Sequence, residues 1–141
     1  MPMITLTVPE GVFPEGARTR LQKTLLATLL AWEGAPDSAL FRSLSWCHIH
    51  EVPVGFFVNA EDDAPRFRLD VTVPEGAMSD RRKAGLVAQV TADIAATAEI
   101  DEANLQQIWV LVHEQPEGTW GVAGHIVRFA ELRALVVGEG S

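Results

Sequence analysis

The chain has 141 residues, 48% of them hydrophobic and 21% charged, the size and balance of one globular unit able to bury a core. Acidic side chains outnumber basic ones and leave a formal net charge of −8, which argues against nucleic acid as a partner, because phosphate binding needs clustered Lys and Arg. The single cysteine, Cys47, excludes an internal disulfide framework and a cysteine-based zinc site, and no apolar run is long enough to span a bilayer. The amino terminus also lacks the basic, apolar, small-residue order of a secretory signal, so the expectation is a cytoplasmic protein with no membrane partner.

In chain order, Met3-Ile4-Thr5-Leu6-Thr7-Val8 alternates apolar and polar residues and reads as a strand, closing in Val8-Pro9-Glu10-Gly11. A helix follows, opening at Pro14, with Ala17, Leu21, Leu25 and Leu29 as its apolar stripe and a stop near Gly34. A second strand runs from Trp46 to Pro53. Asn59 to Pro65, rich in Asp, Glu and Ala, has no apolar pattern and reads as a linker.

The same phrases then return. Phe67 to Val73 reads as a strand and closes in a second VPEG, Val73 to Gly76. A second helix opens with Ser79 as N-cap and Asp80 in its first turn, and carries Leu86, Val87, Val90 and Ile94 on one stripe. Ile108 to Pro116 reads as a strand that ends, like its counterpart in the first half, in Glu, one residue, then Pro, with a glycine two residues on. Ile126 to Val137 reads as a terminal helix.

Two tandem β-α-β units result, 2–58 and 66–124, with a tail at 125–141, within one domain spanning 1–141. Each crossover places its strands parallel, so the expected fold is α/β (α+β): a four-stranded mixed sheet with two helices on one face. In the last strand Ile108, Val110 and Val112 supply one apolar face while Trp109 and Leu111 supply the other. A strand apolar on both sides requires cover on both sides, and the helices cover one. The uncovered face predicts an oligomer.

The run Ile108 to Gly124, with its Trp120-Gly121 hairpin, resembles the second strand and hairpin of 4-oxalocrotonate tautomerase and its relatives in the tautomerase superfamily. Glu75-Gly76, Ser79-Asp80 and Lys83 resemble the family's loop-to-helix phrase, and Pro2 matches its amino-terminal proline. The doubled architecture is similar to cis-3-chloroacrylic acid dehalogenase, malonate semialdehyde decarboxylase and macrophage migration inhibitory factor. The resemblance implies a homotrimer without metal or cofactor. It implies an enzyme of tautomerase or isomerase type in which Pro2, freed by removal of Met1, is general base or acid on a small keto or enol acid. Trp120, Trp109 and His48 are the expected substrate-binding residues.

The departures matter equally. No arginine follows Gly76, where Ala77 and Met78 stand, and the chain has no tyrosine, so dehalogenase chemistry is not expected. Arg81, Arg82 and Arg42 are the candidate substitutes for the missing anion site, each with an ordinary account as a solvated surface charge. Arg66 and Arg68 are expected beside the first VPEG rather than beside Pro2. His48 and His50 lack a third ligand for a metal and have a plain account in packing. The alternative function, from another class, is a non-catalytic trimeric binding or scaffold protein of the same fold that has lost its anion-binding arginines.

Overall fold

The computed structural model describes residues 2–140. Strand β1 (Met3–Pro9) buries Ile4, Leu6 and Val8 completely while Met3, Thr5 and Thr7 take the other face, as period-two alternation requires. Each VPEG ends on a glycine in the left-handed region, Gly11 at φ 76° and Gly76 at φ 82°, so the repeat is one of backbone conformation as well as of letters.

Helix α1 (Ala17–Glu33) starts three residues later than the sequence suggests. Pro14 instead belongs to a turn whose carbonyl accepts the Ala17 N–H at 3.1 Å, and Gly16, left-handed at φ 77°, is the cap. The helix ends at Gly34, as read. A short helix, α2 (Ala39–Ser43), had no periodic signal; the Ser38 hydroxyl accepts the Phe41 N–H at its start, and Phe41 is buried beneath it.

Strands β2 (Trp46–Val52), β3 (Phe67–Pro74) and β4 (Ile108–Gln115) complete one sheet in the order β2-β1-β3-β4. The β1–β2 and β3–β4 pairs are parallel, and β1–β3 is antiparallel with Leu6 opposite Leu69 at its centre. That central pair relates the two units by an approximate two-fold axis. Helix α3 (Asp80–Ala98) follows Ser79, whose hydroxyl caps it by accepting the Arg82 N–H. It packs beside α1 on one face of the sheet, where Leu21, Leu25 and Leu29 meet Leu86, Val90 and Ile94 over the buried strand residues.

A 3-10 turn at Glu102–Gln107 precedes β4, and a two-stranded hairpin, β5 (Gly121–Val122) and β6 (His125–Ile126), follows it. Helix α4 (Phe129–Gly140) begins three residues after the expected start, because His125 and Ile126 are drawn into the hairpin. Among the described residues no helix is long and apolar enough to cross a membrane.

The chain itself leaves the second face of the sheet open. Trp46 on β2 and Trp109 on β4, at diagonally opposed corners, are each 68% exposed. Between them Asp70 holds both Arg68, at 3.0 Å, and the His113 ring, at 2.7 Å.

Candidate active site

Pro2 stands at the head of β1, buried, and its carbonyl accepts the Trp46 N–H at 3.2 Å. Met3 pairs with Thr72, so Pro2 lies one register step further along, level with the end of β3 at Val73 and Pro74. The sequence motif and the sheet thus put the proline where β3 leaves the sheet. Met1, whose removal would free the Pro2 amine, lies outside the described residues.

Beyond that strand end is a cavity of about 480 Å3. Pro2 is not in its wall, but Pro74, Gly76 and Ala77 are, so the second VPEG loop forms the side nearest the proline. The end of α1 contributes Glu33, α2 contributes Phe41, α3 contributes Arg82, and α4 contributes Phe129, Leu132 and Arg133. Five separate segments therefore meet there.

Three charges decide its character. Arg82 points inward: its Nη1 donates to the Glu33 carbonyl at 2.9 Å, and its guanidinium packs against the left-handed Gly34, where a Cβ would come within 3.2 Å of it. The expectation of a solvated Arg82 is therefore corrected. Arg133 lies over the Phe129 ring, 5.8 Å from its centroid, a cation–π contact. Burial pushes the Glu33 carboxyl up to about 7, while the positive amino terminus and the Arg82 guanidinium pull the other way.

Glu33 and Arg133 were not singled out in the sequence. A faint signal existed for two of the three charges: Glu33 is an acid at a helix C-terminus and Arg82 a base in a first turn, each the sign the helix dipole disfavours. Arg133 gave none, because only the tertiary fold carries α4 back over the β3 loop.

The other candidates separate. Trp120 lines an adjoining crevice that shares Pro74, Phe129 and Leu132 with the cavity. Trp109 lies at the far end of the sheet, paired with Arg68 and so beside the end of β1. The single chain does not bring it to Pro2. Arg66 and Arg68 share that far end, as expected, and are held by Asp62 and Asp70. His48 is on the open face, opposite Thr5 and stacked on His50 at 6.2 Å. Among the described residues no group of acids, histidines and cysteine could hold a metal. Arg42 pairs with Asp37 at the surface. The Cys47 thiol, pushed up to about 11 by burial, stays protonated at neutral pH and is no nucleophile.

Residues 69–130, which hold most of β3 and all of α3, β4 and the hairpin, match the family described as tautomerase enzyme. The structure of Pt0534 inactivated by 2-oxo-3-pentynoate is similar over 91% of this chain and 97% of that one, at 22% identity and a TM-score of 0.76. The chain has the fold of the tautomerase superfamily. The tautomerase fold is shared with N1, a member of the cis-3-chloroacrylic acid dehalogenase family, at 17% identity and a TM-score of 0.75 over 98% of both chains. It is shared too with F6, a fused 4-OT that forms an asymmetric trimer, at 21% identity and a TM-score of 0.74 over 94% of this chain and 98% of that one. No curated protein matches the tautomerase-fold chain in sequence.

Proposed function

We propose that this tautomerase-fold chain is an enzyme of the isomerase type that moves protons on a small keto or enol acid. Pro2, freed as a secondary amine by removal of Met1, is the general base and acid. The observation that carries the reading is the place of Pro2: buried at the head of β1 and level with the strand end that leads into the arginine-bearing cavity. An amine accepts a proton only when neutral, and burial penalises its charged form. Ionised Glu33 acts in the opposite sense, so the state of that carboxyl bears on the base. Neither metal nor cofactor is required, since an amine and a cationic pocket supply the proton acceptor and the anion site.

The neighbour inactivated by 2-oxo-3-pentynoate, a reactive 2-keto acid, supports this class of substrate. The trimeric fused 4-OT, and the uncovered sheet face with its two exposed tryptophans, support a homotrimer. In that assembly Trp120 would wall the site of its own chain, while Trp109 and His48 could serve only across an interface. The absence of arginine after Gly76 favours the rival, a trimeric binding protein without activity. The two are separated by comparing processed protein with protein carrying an amino-terminal tag, which converts the amine into an amide. Enolised phenylpyruvate should ketonise faster with the processed form alone; equal rates, or none, would leave the binding protein as the better reading.

A further inference from the structure

We infer, resting on the reading of this cavity as the active site, that it selects a monocarboxylate with an apolar tail: Arg82 and Arg133 hold the carboxylate, and Glu33 with the apolar wall excludes a second one. Arg18, Arg42, Arg66 and Arg68 each sit within reach of an acidic partner on the protein. Arg20, Arg81, Arg82, Arg128 and Arg133 form no such ion pair among the described residues, and of these only Arg82 and Arg133 line the cavity, where Arg82 also acts on the Glu33 carboxyl. Arg82 spends one N–H on the Glu33 carbonyl and rests on Gly34, which fixes its planar fork and leaves its other donors for a ligand. Arg133 is braced on the Phe129 ring. They come from different helices, so a carboxylate between them would tie α3 to α4.

The rest of the lining sets the other half of the ligand. Phe41 and Leu132, 4% and 7% exposed, join Pro74, Ala77 and Phe129 as apolar wall. No third Lys, Arg or His lines the cavity, and its single acid is Glu33. A second carboxylate would therefore lose its water without gaining a partner, next to a group of its own sign once Glu33 ionises. The volume of about 480 Å3 suits a ligand of arylpyruvate size. Of the charged groups lining the cavity, Arg82 from α3 acts directly on Glu33 and Arg133 comes from α4; α2 and the β3 loop present Phe41, Pro74, Gly76 and Ala77, which do not titrate. Below neutrality the protonated carboxyl tolerates a monoanion, and above it the carboxylate competes for the same arginines.

Calorimetry on the processed full chain, with phenylpyruvate and 2-oxoglutarate as probes at about pH 6 and about pH 8, tests this. Phenylpyruvate should bind about tenfold more tightly than 2-oxoglutarate, and Arg133→Met should weaken it by about tenfold, the scale of one charge-assisted contact. Arg133 is exposed on α4, so its loss should not unfold the chain, and Arg18→Met, remote from the cavity, should change nothing. Wild-type affinity should fall between the lower and the higher pH, and Glu33→Gln should remove that fall. Equal or tighter binding of 2-oxoglutarate, unchanged affinity in Arg133→Met, or no binding of either probe would overturn the inference. Turnover enters none of these readings. A protein that binds in the expected pattern but turns nothing over would defeat the proton-transfer proposal and leave the arginine clamp standing.

Discussion

The Glu33 carboxyl, raised from 4.5 to about 7 by burial, keeps its proton in the folded state over a range in which the unfolded chain has lost it. Over that range the folded state binds more protons than the unfolded one, so stability falls as pH rises. The contribution is complete below the unfolded value and gone once pH has passed the folded one. Glu33→Gln cannot ionise and should not show this fall. In urea unfolding the wild type should therefore lose about 1–3 kcal/mol relative to the variant between acidic and slightly alkaline pH, and parallel curves would mean the carboxyl is solvated. Pro2 makes a kinetic prediction at the same scale. Pro2→Ala retains an amine but makes it primary and more mobile, so ketonisation should drop by about a hundredfold or more while far-UV circular dichroism stays unchanged. Full activity in that variant would remove the proline from the mechanism.

Between elements, the α1–α3 contact depends on a missing side chain. Gly85 lies inside α3, where glycine is otherwise a weak choice, and a Cβ there would fall 2.2 Å from the Trp32 ring of α1. The indole occupies the space that any other residue would need. Gly85→Ala should raise intrinsic helix propensity and still destabilise the fold, by about 1–3 kcal/mol, because a rigid ring must move. Thermal melts would decide it, and a gain in stability would mean that Trp32 has another place to go. In the sequence this glycine looks like a flaw in a good helix. The stripe of Leu86, Val90 and Ile94 was legible because burial follows helical spacing, whereas the reason for Gly85 lies on a different helix.

At the scale of the whole molecule, the sheet has one face packed under α1 and α3 and one left bare, with the Arg68, Asp70 and His113 network at its centre and a tryptophan at two corners. Exposed indoles at this level mark a surface built for contact. Sedimentation should give a trimer, and Trp109→Asp, which places a charge on that surface, should yield smaller species with the secondary structure retained. A wild-type monomer at micromolar concentration would remove the basis for a site shared between subunits.

The repeat of VPEG, the alternation in β1 and β3, the helical stripes and the Ser79 cap are local patterns, and they sufficed to predict two β-α-β units, their order and their parallel strands. Position in the chain was enough to place Pro2 at the head of the first strand. It was also enough to send Arg66 and Arg68 to the opposite end, because an antiparallel join between like units reverses one against the other. The sequence could state that the family's arginine is missing after Gly76, but not what replaces it. Glu33, Arg82 and Arg133 are far apart in the chain, and each alone has the letters of a surface charge. They become one site only where the end of α1, the first turn of α3 and the returning α4 converge over the β3 loop. That convergence fixes the burial of Glu33 and the inward turn of Arg82, since desolvation and charge neighbourhood are properties of three-dimensional packing.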